Sequence, residues 1–462
     1  MSFRIFRFIL ILILIPGVGE GSARASSMSD IEAIESRISG NVVLSDLLEY
    51  AFLKNPSIQA AKHKWKAVVE TYRTSASYPD PMIMATYFPQ PIETRLGPQD
   101  WNMTISQVIP FPGKLSKKRE QVETRAMIAR SILDKTVRNV LVSVQESFYE
   151  ISYIRKARQI AEKNMALLDL LRKTGETAYA DDRAALIDVI KAQSQTAQLR
   201  YDLLLLEELE ATENAKINSL LNRDPDAVIG KIESVMPSPL AYSLKELYSV
   251  AAENREEIKI ARLRSEEKKI GVELAGYNNL PNFKVGMFYA SIGEPEADMQ
   301  PDDAGQDAIG IQFSMNLPLW FSKNKSRVKK AGAELEMAES VTLSKVNETM
   351  SGIRNLYFRY QNAQRLQALY EDELLPQAIR STELAETWFR EGEGSFSDFI
   401  ESRALLYNFE LSAARARSDL GKYLVRLERL AGHNLTIRDI SEDPDKSNVE
   451  KFKSDNPEKE SK

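Results

Sequence analysis

The chain of 462 residues contains no cysteine and only two histidines. Without cysteine it has no disulfide, no thiolate metal site, no cysteine nucleophile and no lipidated N-terminal cysteine. His63 and His433 lie far apart, and neither has acidic or histidine neighbours at ligand spacing. Phosphate-binding loops and nucleophile motifs are also missing. The sequence therefore offers no catalytic residue, no metal site and no cofactor site, and an enzyme is not expected.

Long apolar runs are missing too, apart from one at the N-terminus. There Arg4 and Arg7 precede an apolar run over residues 8–15, and Ala23-Arg24-Ala25 offers small residues for cleavage. This pattern is typical of a secretory signal peptide, because a membrane-spanning helix needs about 20 apolar residues. We assign residues 1–25 to it. This segment carries three arginines and one glutamate, so its removal takes the net charge of the chain from −5 to −7. An acidic exported protein is not expected to bind nucleic acid.

Glycine and proline are absent from the whole stretch between Lys114 and Thr174. Its richness in Glu, Lys, Arg, Leu and Ala predicts a helix of about 60 residues, or about 90 Å. Apolar side chains recur at spacings of three and four, which indicates a coiled-coil-like stripe. Interruptions at residues 174–182 and 390–394 predict that each half of the chain folds its long helices into a hairpin.

Residues 101–109, just before the first long helix, alternate between apolar and polar side chains. Trp101, Met103, Ile105 and Ile109 fall on one face, which predicts a two-faced strand that ends at Pro110. Three more strands are predicted at about 82–88, 282–290 and 309–317. About ten residues is the length of a tilted strand that crosses a bilayer.

The chain also repeats itself. Leu44 and Ile58 recur 200 residues later as Leu244 and Ile258, and similar matches continue at offsets of 208 and 210. Such ordered matches predict two halves with the same order of helix (about 44–77 and 243–277), strand, strand, helix and helix. We place the first repeat at residues 26–222, a linker at 223–242, the second repeat at 243–432, and a polar, disordered tail at 433–462.

Four strands cannot close a barrel, and an open sheet edge is not tolerated in hydrocarbon. If the strands lie in a membrane, they must be pooled between subunits. If they form a soluble sheet instead, the chain is a periplasmic coiled-coil scaffold or adaptor. The location of the strands decides between these two hypotheses.

Over about residues 40–435 the chain resembles the TolC-like outer-membrane efflux proteins. The resemblance rests on the duplicated order of elements, on the strand-to-helix junction SQVIPFPGK at residues 106–114, and on residues 389–401, which are similar to the family's turn at the periplasmic end of the tube. The junction is also similar to that of the heavy-metal efflux branch. Met103, Met287 and Met315, however, lie on apolar strand faces, which favours lipid contact over a soft-metal path.

The resemblance implies a mainly α fold with a small transmembrane β portion. Four strands per subunit would contribute to a shared trimeric β-barrel, and the long helices would form a periplasmic coiled-coil tube. The homotrimer would lie in outer-membrane lipid and extend into the periplasm. It would be a passive, gated export channel whose partners are a periplasmic adaptor and an inner-membrane pump. Pooling of the strands is met by three copies or by two, and the sequence is compatible with drugs, metal ions or proteins as the substrate.

The candidate functional residues lie at the far end of the tube. Asp398 and Glu401 share a helix face and would form acidic rings that favour cations. Asp188 is the first-half counterpart of Asp398, whereas Lys191 stands where Glu401 does, and Phe389 is a further gate candidate. A solvated helix end is the simpler alternative for these charges. The candidates for adaptor contact are Asp181, Asp182, Arg183, Glu391, Gly392, Glu393 and Gly394.

Overall fold

The computed structural model describes residues 31–75, 77–180, 185–232, 238–295 and 302–436. The predicted signal peptide lies outside these ranges, as do residues 437–462 of the predicted tail. Residues 433–436 of that tail are packed on the second half, where Leu435 is buried in the core because it is an apolar side chain in an otherwise polar segment.

The described elements form two similar series. After a helical stretch at residues 31–39, the first half contains β1 (Asn41–Val42), α1 (Leu44–Lys54), α2 (Pro56–Ser75), β2 (Met82–Thr94), β3 (Gly97–Ile109), α3 (Lys114–Ala180) and α4 (Leu186–Leu221). The second half contains β4 (Lys231–Ile232), α5 (Leu244–Asn254), α6 (Glu256–Tyr277), β5 (Phe283–Ile292), β6 (Ala308–Met315), α7 (Phe321–Ala368), a π-helical turn (Leu369–Leu374), α8 (Leu375–Glu391) and α9 (Phe396–Ala431). The predicted fold class, long helices with a small sheet in duplicated halves, is confirmed.

The backbone repeats the duplication at equivalent helix ends. Asn222 and Gly432, 210 residues apart, both adopt the left-handed conformation that ends a helix. Asn55 and Arg255, 200 residues apart, both end a short helix in an extended conformation. Each of the helices predicted at 44–77 and 243–277 is therefore two helices. In the first half the break occurs because Pro56 disfavours helical backbone at Asn55.

Four strands form one antiparallel sheet in the order β2-β3-β5-β6. The register separates two faces across all four strands. One row of the outer face consists of Ile83, Ile105, Met287 and Ile311, and all four side chains are exposed. The adjacent row lies on the inner face and includes the buried Ser106 with Gly286 and Gln312. The alternation predicted for residues 101–109 is thus confirmed.

Strand β2 runs to Thr94, six residues further than the predicted end at residue 88. Pro89 and Pro91 cannot donate ladder hydrogen bonds, and the register shifts between Tyr87 and Ile92, so the alternation is disguised in the sequence. The hairpin closes at Gly97, whose φ of +130° only glycine adopts easily. A Cβ there would also lie 1.8 Å from Gly293 O, in the loop that follows β5.

The predicted break at residues 174–182 is wrong at its start, because α3 continues to Ala180. Gly175 lies inside the helix, where a Cβ would meet the ring of Phe396 at 2.9 Å. This glycine therefore allows the two hairpins to approach rather than ending α3. The matching break in the second half is confirmed, since α8 and α9 are joined by residues 392–395.

Helices α3 and α9 join the two halves. Helix α3 packs against α2, α4, α6 and α9, while α9 also packs against α7 and α8. Gly421 of α9 touches the ring of Tyr149, and Ser418 donates a hydrogen bond to Tyr149 O at 2.9 Å. Within the described ranges, no helix is both long and apolar enough to cross a membrane.

Candidate functional site

The turn between α8 and α9 forms one tip of the helical hairpins. Gly392 ends α8 with a φ of +78°, and the Glu393 N–H donates to Trp388 O at 2.9 Å. Ser395 then begins α9 by accepting a hydrogen bond from the Asp398 N–H at 3.0 Å. Glycine after one helix and serine before the next are the residues that satisfy such helix ends. The turn therefore has one defined shape, with Glu391 and Glu393 exposed beside it.

Phe389 lies in an aromatic cluster inside this tip. Its ring is 5.1 Å from that of Phe396 and 6.2 Å from that of Phe399. Both partners are buried in a core that includes Leu171 of α3 and Leu199 of α4. Phe389 thus helps to hold the two hairpins of one subunit together, and its role as a gate stays a prediction.

Asp398 and Glu401 lie exposed on the same face of α9, as predicted. Glu401 has a partner that the sequence did not reveal. Lys191 of α4 donates a hydrogen bond to Ser397 Oγ at 2.8 Å, and its Nζ lies 3.5 Å from Glu401 Oε1. Lys191 occupies the position in the first repeat that corresponds to Glu401 in the second. The lysine of the first half therefore pairs with the acid of the second half.

Asp188 and Lys191 lie one turn apart at the start of α4. Asp188 is half-buried, and its backbone N–H donates to Ala185 O at 3.0 Å. Asp398, its counterpart, has no ion-pair partner in the part of the chain that the structure describes. The other tip candidates, Asp181, Asp182 and Arg183, lie outside the described residues.

A cluster of ionic groups joins α3 to α9 further along these helices from the turn. Arg426 pairs with Glu146 at 2.7 Å, and Glu150 contacts both Arg415, at 2.8 Å, and the buried Lys422. These pairs cross between the two halves of the chain. Among the described residues, no His, Asp and Glu side chains are grouped in a way that could hold a metal ion.

Two helix faces of the subunit remain apolar and exposed. On α4 the exposed side chains follow helical spacing, and the second half carries a similar set on α7 and α8. The first set is Ile187, Ile190, Tyr201 and Leu204, and the second is Leu343, Phe358, Leu384 and Trp388. The sheet likewise leaves one edge open in each half, at β2 and at β6.

The outer face of the sheet is apolar and carries aromatic rings towards both ends. Near one end, Trp101 and Tyr289 lie 5.3 Å apart, and near the other Phe283 stacks on Phe111 and Phe313 at 6.4 and 6.0 Å. Between these groups lies Ile311, which is 84% exposed. Aromatic girdles that flank an apolar band are typical of strands that cross an outer membrane.

Comparison with known proteins agrees with this architecture. Residues 247–433 match the model of the outer membrane efflux protein family. This segment is the second repeat, from α5 to just beyond α9, and the first repeat has the same order of elements. No curated relative matches the chain.

Several solved outer-membrane channels share the fold. VceC from Vibrio cholerae is 18% identical, with a TM-score of 0.71 over 85% of this chain and 96% of VceC. CusC is 12% identical, with a TM-score of 0.72 over 84% and 92%. The open state of the Neisseria gonorrhoeae MtrE channel is 14% identical, with a TM-score of 0.66 over 86% and 91%.

The family match and the shared fold confirm the resemblance to the TolC-like outer-membrane efflux proteins. The matched family consists of efflux proteins of the outer membrane, in agreement with the predicted class and location.

Proposed function

We propose that this protein is the outer-membrane channel of a tripartite efflux system. The observation that carries the proposal is the four-stranded sheet, which combines an apolar exposed outer face with two open edges above two long helical hairpins. In water such a face and such edges would promote aggregation. In a membrane the face meets lipid, and copies of the chain must pair the edges.

The subunit has complementary surfaces for a ring. β2 and β6 are different edges, and the apolar stripes of α4 and of α7 and α8 belong to different halves, so contacts between copies are head-to-tail. Three copies would supply 12 strands, which exceeds the smallest closed barrels of about eight strands. We therefore propose a homotrimer whose helices form a tube through the periplasm.

At the tube's end, Asp398 and Glu401 would line the narrowest part, and the Lys191 link to Ser397 and Glu401 would hold the hairpins of each subunit together. The exposed Glu391 and Glu393 would contact a periplasmic adaptor that connects the channel to an inner-membrane pump. The pump would supply the energy, so the channel itself needs no catalytic group.

Membrane fractionation tests the proposal against the alternative of a periplasmic scaffold. We expect the protein to be extracted from the outer membrane by detergent, to run on gels as an oligomer that dissociates on heating, and to conduct ions in planar bilayers. Release of the whole population in the soluble periplasmic fraction would rule the channel out.

A further inference from the structure

The two strand-to-helix junctions differ in how they are covered. In the first half, Phe111 is half-buried and stacks on Phe283, and Gly113 lies against the ring of Tyr277. In the second half, the junction between β6 and α7 carries four large apolar side chains that are 62–78% exposed, namely Leu317, Leu319, Trp320 and Phe321. They continue the apolar outer face of the sheet beyond the end of β6.

Cations follow this apolar group directly. Residues 321–332 contain five basic side chains and no acidic one. Lys323, Lys325 and Lys329 are exposed and have no ion-pair partner among the described residues. The corresponding Lys117 of α3, by contrast, pairs with Glu120 at 2.8 Å and with Glu273 at 2.6 Å.

Helix stability does not explain these cations. The N-terminus of a helix carries partial positive charge, so basic residues in its first turns are unfavourable. Contact with a second copy does not explain them either. The β6 edge of one copy would meet the β2 edge of the next. Residues 77–81, just before β2, include one acidic side chain, Asp80, which is too few to neutralise the five basic side chains of residues 321–332.

We propose that this second-half junction binds the headgroups of anionic phospholipids in the periplasmic leaflet. The inference rests on the proposed function, which places the sheet in the membrane and the junction at its periplasmic surface. Trp320 and Phe321 then lie where hydrocarbon meets headgroups, as interfacial aromatic residues do. The lysine ammonium groups then lie at the level of the lipid phosphates, which basic clusters beside a membrane-spanning segment attract.

Native mass spectrometry of the purified oligomer with phosphatidylglycerol or phosphatidylcholine tests this inference. Lys323→Gln, Lys325→Gln and Lys329→Gln together should weaken phosphatidylglycerol binding by at least tenfold, because each lysine near an anionic surface contributes about fivefold. Phosphatidylcholine binding should be unchanged. The control is the triple change of Lys62, Lys64 and Lys66 to Gln, which removes the same charge from an exposed stretch of α2 and should leave both lipids bound.

Equal phosphatidylglycerol binding by the wild type and the junction variant would overturn the inference. So would an equal loss in the control variant, or displacement of the lipid by glycerol 3-phosphate at the same concentration. Bilayer conductance of the wild type, measured separately, reports on the channel itself. A conducting channel without selective lipid binding refutes the inference alone, whereas a protein that never conducts refutes the proposed function.

Discussion

Replacing Lys191 with methionine should shift the proposed channel towards its open state. The Lys191 ammonium donates to Ser397 Oγ at 2.8 Å and lies 3.5 Å from Glu401 Oε1, so it joins α4 of one hairpin to α9 of the other. Methionine has a similar length but no charge and no hydrogen-bond donor. Both contacts are then lost while the packing of the aliphatic side chain is kept.

The magnitude follows from the exposure of the pair. The side chains of Lys191 and Glu401 are 43% and 68% exposed, so water screens their attraction. Exposed ion pairs contribute about 0.2–1 kcal/mol. If the Lys191–Glu401 pairs of all three subunits in the proposed trimer break together, their summed contribution to the free energy of the closed state is about 0.6–3 kcal/mol. This corresponds to a change of about threefold to 150-fold in the ratio of closed to open channels.

Single-channel recording in planar bilayers measures this ratio as the open fraction. Lys216→Met is the matched control, because Lys216 pairs with Glu213 at 2.7 Å within α4 and joins no hairpins. The exchange of Lys191→Glu with Glu401→Lys should restore the closed state. An open fraction of Lys191→Met equal to that of the wild type, or an equal rise in the control, would refute the link.

Three further predictions follow from other sites. Asp398→Asn should lower cation preference in reversal-potential measurements more than Glu401→Gln does, because Glu401 already has a cationic partner; equal effects would count against this reasoning. Burial raises the pKa of Glu428, so the folded state holds that proton more tightly than the unfolded chain, and stability falls as pH rises above the unfolded value of 4.5. Glu428→Gln should remove the contribution of this group to the loss of stability. The melting temperature should then depend less steeply on pH above 4.5 than in the wild type, and an unchanged dependence would contradict the prediction. Gly432→Ala should destabilise the protein by about 2–4 kcal/mol, because φ is +69° and a Cβ would lie 2.5 Å from the Asn254 carbonyl oxygen. Gly332→Ala serves as the control. Gly332 lies inside α7, and a Cβ added there would meet no atom within 4 Å, so this change should stabilise the protein by up to about 1 kcal/mol in denaturant unfolding.

Local patterns predicted the regular parts of this fold well. Alternation at residues 101–109 predicted the two faces of β3, because side chains on a strand point to opposite sides. The absence of glycine and proline after Lys114 predicted the long helix α3. The prediction failed at Gly175, because a glycine that makes room for Phe396 looks in the sequence like one that ends a helix.

Contacts between distant segments could not be predicted in the same way. Comparison of the repeats showed that Lys191 replaces the acid found at residue 401, but only the structure brings the two side chains together. The π-helical turn was not foreseen either. Its Glu371 is paired with Arg417 of α9 at 2.6 Å, a tertiary contact that no local pattern encodes.

The two repeats differ at the hairpin tip and at the strand-to-helix junction. Each half supplies the same strands and long helices, so a ring of duplicated subunits would be close to sixfold in its walls. At the tip, however, Lys191 faces Glu401, and at the junction the half-buried Phe111 corresponds to the exposed Leu319. In the proposed trimer, both differences would lower the symmetry from nearly sixfold to threefold. A link between unlike halves joins the hairpins within a subunit, so it can limit how far they separate without fixing one subunit to the next.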